Sequence, residues 1–205
     1  MTPQAALDRG LGELALDLPG GARQCLLDYM ALLVKWNRTY NLTAIRDPLA
    51  MVAHHLLDSL AVVPHLPLAA NARLADAGSG AGLPGIPLAI ARPDWRVTLA
   101  EASQKKAAFL RQATIELGLA NVEVYEGRVE AWRPQPLFDA VISRAFAALA
   151  HFLAACRHLL APTGVLAAMT GKAPTPLEAS CSLIRLHVPL LEAQRHLVLC
   201  PASSR

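Results

Sequence analysis

The sequence predicts a mostly parallel β-sheet covered on both faces by helices and preceded by a helical N-terminal segment. Three observations lead there. From Arg73 onward, short apolar runs alternate with stretches at helical spacing, the rhythm of strand–helix–strand units. One strand–helix junction carries the glycine-rich turn Asp76-Ala-Gly-Ser-Gly-Ala-Gly-Leu-Pro-Gly85. Before Arg73 only helical periodicity is found. With 54% hydrophobic and 17% charged residues, a chain of 205 residues can build one sizeable core, which excludes a disordered protein.

The elements follow in order. Leu7, Leu11 and Leu14 fall at helical spacing. After the Pro19-Gly20-Gly21 break, a stronger helix carries Leu26, Met30, Leu33 and Asn37 on one stripe, with Leu27 and Val34 beside it. Thr43 to Pro48 reads as a turn, and Pro48 suits the first turn of a third helix running to about Val63. The expected strands are Arg73–Ala77, Val97–Ala100, Val122–Tyr125, Ala140–Ser143, Val165–Met169, roughly Leu183–Val188, and His196–Cys200. Helices are expected at Ile86–Ala91, Gln104–Leu117 and Leu149–Leu160. The last two strands leave little room for a helix between them, so antiparallel pairing is expected. Residues 1–68 then form a helical extension and residues 69–205 the core, packed as one compact unit.

Composition narrows the function classes. No apolar run reaches the roughly 18 residues of a membrane span, and the N-terminus lacks the basic and apolar regions of a signal peptide, so a cytoplasmic protein is expected. Cys25, Cys156, Cys181 and Cys200 have no Cys-x-x-Cys spacing; they read as small buried thiols, with neither a zinc motif nor a disulfide framework. His54, His55 and Asp58 resemble a metal site, but on an α-helix only His54 and Asp58 share a face, so no metal is expected. The net charge of +3 is compatible with a nucleic-acid partner without requiring one.

The glycine-rich turn is the most informative feature. Its spacing is Gly78-x-Gly80-x-Gly82. The dinucleotide fingerprint needs Gly-x-Gly-x-x-Gly, and a Walker loop needs Lys followed by Ser or Thr; neither is met. Asp76 before the turn suits an amine-bearing or cationic ligand better than a pyrophosphate. Glu101 ends the second strand, where a carboxylate can bind both hydroxyls of a ribose. Nicotinamide cofactors would want the same acid, so the glycine spacing, not Glu101, discriminates. These features favour S-adenosylmethionine (SAM) as ligand, with S-adenosylhomocysteine as product.

Several blocks in order then match a known family: Lys35-Trp-Asn-Arg-Thr-Tyr-Asn-Leu-Thr43, Leu56-Leu-Asp-Ser59, Gly78-Ser-Gly-Ala-Gly-Leu-Pro-Gly-Ile-Pro87, Phe109-Leu-Arg-Gln112, Gly127-Arg-Val-Glu130, Val141-Ile-Ser-Arg-Ala-Phe146 and Arg195-His-Leu-Val198. From about Tyr29 to about Val198 the chain resembles the RsmG (GidB) family of small-subunit ribosomal RNA guanine-N7 methyltransferases. The resemblance implies a class I SAM-dependent methyltransferase fold, Rossmann-like with seven strands. It implies transfer of a methyl group from SAM to one guanine in the decoding-region loop of 16S ribosomal RNA, as naked RNA, small subunit or assembly intermediate. Cofactor contacts are implied at Gly78, Leu83, Val129, Glu130 and Arg144, with Glu101 at the ribose position, where the family usually has Asp; Asp76 and Gly80 join them from the turn. His54 stands where the family usually has Arg, and Thr170 where it usually has Lys.

Guanine N7 offers a free lone pair, so no general base is expected, only alignment. Arg144, Phe146 and Ser143, at the end of the fourth strand, are the candidates for positioning the base. Phe146 either stacks on a base or packs in the core, and Ser143 either bonds the base or ends the strand. Asn37, Tyr40 and Asn41 either line an entrance or cap and pack the second helix. Arg128, Lys105, Lys106, Arg38 and Lys172 are the RNA-binding candidates, and Lys35, Arg46 and Arg111 add to the basic footprint. Arg144 either contacts SAM, clamps an RNA phosphate or forms a structural ion pair. The alternatives are a SAM-dependent enzyme acting on another RNA or a small molecule, an NAD-linked oxidoreductase, and an RNA-binding assembly factor with a vestigial pocket. No dimerisation signal is found, so a monomer is expected.

Overall fold

The structure, a computed structural model, describes residues 1–144 and 148–202. Helix α1 (Pro3–Glu13) starts with Pro3 at its first position, where the Thr2 hydroxyl accepts from Ala5 N at 3.2 Å. Helix α2 (Ala22–Tyr40) buries Leu26, Tyr29, Met30, Leu33 and Asn37, the expected stripe with Tyr29 added. It ends where Asn41 takes a left-handed conformation. Asp47 caps α3 (Pro48–Met51) by accepting from Ala50 N at 2.7 Å.

The third helix departs from expectation. Instead of running as α-helix to Val63, it widens into a π-helix over Val52–Leu57 and closes as α4 (Asp58–Leu60). A π-turn adds a residue per turn, which rephases the side chains. Such insertions recur at functional sites.

The core alternates as predicted: β1 (Arg73–Ala77), α5 (Gly85–Ala91), β2 (Arg96–Glu101), α6 (Gln104–Glu116), β3 (Val122–Glu126), β4 (Phe138–Ser143), α7 (Leu149–Cys156), β5 (Leu160–Thr170), β6 (Ser182–Leu186) and β7 (Arg195–Pro201). Helix α7 is shorter than expected, because Arg157–Leu159 tightens to 3-10 and Leu160 already starts β5. The seven strands are ordered β3-β2-β1-β4-β5-β7-β6. The first five are parallel, and β7 lies antiparallel between β5 and β6.

Neighbouring strand residues point to opposite faces. Leu74, Ala140 and Ala167 therefore join one core, with Leu7, Leu26, Leu33, Ile86 and Phe109 from α1, α2, α5 and α6. Ala75, Val141 and Leu166 join the other, with Phe152 and Cys156 from α7. The N-terminal helices thus share one continuous core with the sheet. The strand order reverses at β1, so the carboxyl ends of β1, β2 and β4 frame the crevice where ligands bind in such sheets.

The cysteine reading needs correcting. Cys25 and Cys156 are free, but Cys181 and Cys200 form a disulfide. The antiparallel register pairs Ser182 with Leu199, which sets Cys181 opposite Cys200. That register is set by hairpin geometry, which cysteine spacing does not encode.

Candidate active site

The glycine spacing has a direct conformational cause. Gly78, Gly80 and Gly82 all have positive φ, at 73°, 58° and 89°, a region costly for residues with a Cβ. The alternation lets the chain reverse within a few residues. Gly78 N and Ser79 N both donate to Ala100 O, at 2.9 and 3.0 Å, and Gly82 N donates to Ser79 O at 2.7 Å. Gly85 has an ordinary φ but no room: a Cβ there would meet Leu99 and Asp76. Tyr29 O–H donates to Ala81 O at 2.7 Å, so α2 holds the turn from outside. The sequence offered no signal for this contact.

Two carboxylates brace the turn from within. Glu101 accepts from Gly80 N at 2.9 Å and from Ser103 N at 2.8 Å. The glutamate's extra methylene thus reaches back to the turn, and its oxygens keep lone pairs for further donors. Asp76 is fully buried and accepts from Gly85 N at 2.9 Å, while its Oδ1 has no hydrogen-bond partner among the described residues. Burial pushes its carboxyl up to about 7, against the hydrogen bond from Gly85 and the charge of Arg144.

A pH prediction follows. Between the unfolded value near 4 and the folded value of about 7, the unfolded chain releases the Asp76 proton while the folded chain keeps it. The contribution of Asp76 to stability is therefore fully present below pH 4 and is lost as pH rises through 7. Asp76→Asn removes this loss. Its melting temperature relative to the unmutated protein is expected to be higher at pH 8 than at pH 5, and an equal offset at both would contradict the assignment.

A cavity of about 200 Å³ opens at the ends of β1, β2 and β3, lined by Gly78, Glu101, Gly127, Arg128, Val129 and Glu130 among others. Of the expected cofactor residues, Gly78, Glu101, Val129 and Glu130 thus converge on one space. Gly80 adjoins it through Glu101. Asp76 and Leu83 are buried and brace the turn.

Arg144 lies elsewhere. A second cavity of about 330 Å³ at the ends of β4 and β5 is lined by Ile45, His54, His55, Asp58, Arg144, Met169, Thr170, Gly171 and Arg195. Arg144 Nη1 donates to His54 O at 2.8 Å and to Asp58 Oδ2 at 3.3 Å, and Arg195 Nε donates to Asp58 Oδ1 at 3.0 Å. His54 and His55 of the π-helix and Asp58 at the start of α4 line the same wall. His55 Nε2 bonds Thr43 Oγ1 at 2.8 Å, and burial, with Arg144 nearby, lowers its pKa to about 4, so the ring is neutral. Among the described residues, no group of three or more His, Cys, Asp or Glu could hold a metal ion.

The remaining candidates separate. The buried Ser143 hydroxyl donates to Ala77 O at 2.8 Å, tying β4 to β1. Phe146 lies outside the described residues. Asn37 donates to Thr43 O and accepts from Thr43 N, Asn41 caps α2, and Tyr40 stacks on Trp36 with ring centroids 5.2 Å apart; this is the capping and packing arrangement. Arg128 stands exposed at the first cavity, and Lys105 lies in the first turn of α6 just beyond Glu101. Lys106 follows it, and Lys172 sits two residues past Thr170, where its backbone oxygen accepts from the Thr170 hydroxyl. Arg111 is tied to Glu126 at 2.7 Å. Arg38 lines a third cavity with Arg46. No described helix is long and apolar enough to cross a membrane.

The family model for rRNA small subunit methyltransferase G, GidB, matches residues 22–197. The chain belongs to the GidB family. It is 52% identical to ribosomal RNA small subunit methyltransferase G of Methylobacillus flagellatus, covering 97% of this chain and 98% of that protein. It is 50% identical to the protein of the same name from Chromobacterium violaceum, covering 95% of each. Among solved structures it is similar to a predicted O-methyltransferase from Agrobacterium tumefaciens (24% identity, TM-score 0.56, 73% of this chain and 80% of that one). A SAM dependent methyltransferase from Aquifex aeolicus matches at 19% identity, TM-score 0.55, over 77% of this chain and 94% of that one. These likenesses show that the GidB chain has the methyltransferase fold. Two residues of its second cavity were under-read in the sequence. Arg195 opens the block Arg195-His-Leu-Val198, and Asp58 sits in the block Leu56-Leu-Asp-Ser59 and beside His54 and His55 as a would-be metal ligand, with no binding role given to either.

Proposed function

We propose that this GidB-family methyltransferase transfers a methyl group from SAM to N7 of a guanine in the decoding-region loop of 16S ribosomal RNA. The observation that carries the cofactor half is the convergence of Gly78, Glu101 and Val129 on one cavity at the strand ends. A carboxylate beside a glycine turn with no phosphate cradle fits a ribose carrying a sulfonium-bearing chain. Glu101 would accept the ribose hydroxyls, and Val129 would offer an apolar wall to the adenine. SAM supplies the electrophilic methyl group when bound.

The residues of this chain then have one task, alignment. N7 has a lone pair at neutral pH, so its attack on the methyl carbon releases no proton and needs no base. Holding the reacting atoms about 3–3.5 Å apart and in line supplies most of what catalysis requires. The second cavity, at the ends of β4 and β5, is where the target nucleotide would enter. The 16S substrate rests on family membership and on the names of relatives such as that of Methylobacillus flagellatus. Mass mapping of small-subunit RNA from cells with and without this gene tests the reading. N7-methylguanosine in the decoding-region loop should disappear with the gene, and an unchanged level would refute it.

A further inference from the structure

We infer that the cavity between Arg144 and Arg195 binds a phosphodiester of the RNA strand, next to the base being methylated, and that Asp58 is the residue that positions both arginines. The identity of the strand rests on the function proposed above; the anion site itself does not.

The first argument is charge. Two guanidinium groups share one carboxylate, Asp58, whose side chain is only 3% exposed. His55 is neutral, and among the described residues no other acid lines the cavity, so its net charge is positive. Both oxygens of Asp58 are engaged, one by each arginine. Arg144 Nη1 also donates to His54 O, and Arg195 Nη1 to Gln194 O. The Nη2 groups of both arginines have no protein acceptor among the described residues. Two arginines already held in place, with donors to spare, form an ordered site for an oxyanion.

The second argument is which part of a nucleotide fits. Methylation at N7 turns the guanine ring into a cation. Arginines donating to the O6/N7 edge would draw electron density from the attacking nitrogen and repel the product. A phosphodiester keeps its negative charge throughout, so the arginine pair suits the backbone rather than the base.

The third argument is continuity. Ile45 is shared with a neighbouring cavity of about 190 Å³, lined also by Val34, Asn37, Arg38, Arg46 and Met51. Arg38 and Arg46 are exposed there and form no ion pair among the described residues. Two basic concavities side by side match a chain of phosphates better than a single small anion. The shared floor is built in: Asn37 clamps Thr43, and Thr43 bonds His55 of the π-helix.

The test measures binding of a single-stranded oligoribonucleotide carrying the unmethylated decoding-region loop, by anisotropy over a range of salt, beside SAM affinity by calorimetry. Arg195→Gln is expected to weaken RNA binding roughly 10-fold and to reduce the slope of log affinity against log salt by about 0.7, one single-strand phosphate contact. SAM affinity should stay within about threefold, a change below 1 kcal/mol. Arg195→Lys keeps the charge and should keep the slope. Asp58→Asn keeps both charges but not their placement. It should keep the slope and lower kcat for methyl transfer to small subunits, while Asp58→Glu recovers part of that loss. Unchanged RNA affinity and slope in Arg195→Gln would overturn the inference, as would a loss of SAM affinity in its place. Inorganic phosphate displacing the oligoribonucleotide at equal concentration would overturn the strand and leave a small-anion site. The affinity and salt-slope readouts need no turnover, so a wild-type protein that binds the RNA but never methylates it would refute the proposed function and not the anion site.

Discussion

Gly78→Val is expected to abolish measurable SAM binding while leaving the fold intact. The Gly78 position has φ of +73°, and a Cβ built there meets no protein atom within 4 Å. Its side chain would therefore project into open space, and that space is the cavity shared with Glu101 and Val129. A β-branched residue at positive φ costs about 1–3 kcal/mol, which for a chain of this size lowers the melting temperature by roughly 2–12 °C. Filling the ligand's space costs more: a fall in SAM affinity of about 100-fold or more is expected, equivalent to about 2.7 kcal/mol. Calorimetric titration with SAM and circular dichroism check the two halves separately. Micromolar affinity retained by a folded Gly78→Val protein would place the ligand elsewhere.

Gly85→Val should do the opposite and damage the fold first. The added atoms would meet the side chains of Leu99 and Asp76, with Asp76 Oδ2 at 2.7 Å and Asp76 Cβ at 3.0 Å. Both neighbours are fully buried, so neither can swing into solvent. Displacing Asp76 also breaks its bond from Gly85 N and leaves a buried carboxylate with no donor. Overpacking of this kind costs about 3 kcal/mol or more, a drop of roughly 6–12 °C or more in melting temperature. Thermal unfolding without ligand measures it. A Gly85→Val protein as stable as the parent would contradict the packing described at the foot of the turn. The two glycines stand seven residues apart in one motif and serve different ends: Gly78 leaves room for a ligand, Gly85 for a carboxylate.

The sheet was legible in the sequence because each strand has a short apolar run bounded by turns, and local patterns of that kind survive without knowledge of the partners. The turn was legible because positive φ at Gly78, Gly80 and Gly82 demands glycine at those positions, and composition records the demand directly. The first cavity followed from both, since Glu101 and Val129 sit one strand and two strands along the same edge. The second cavity was not legible. Arg144 and Arg195 lie 86 and 137 residues from Asp58, and only the folded sheet brings them together. The π-helix over Val52–Leu57 leaves no mark in an apolar stripe that fits an α-helix as well. The Cys181–Cys200 bridge was hidden for the same reason: it follows from the register of β6 on β7, not from spacing.

On the proposed function, the cavity at Gly78 and Glu101 delivers a methyl group to N7 of a guanine. The most direct measurement incubates purified protein and isotope-labelled SAM with small ribosomal subunits lacking the modification, then locates the label by mass spectrometry of the RNA. The expected result is about one methyl per particle, on N7 of a single guanine in the decoding-region loop, and none when that guanine is replaced by 7-deazaguanine. Label on a ring amine, on a ribose hydroxyl, or at a site that survives the 7-deaza replacement would contradict it.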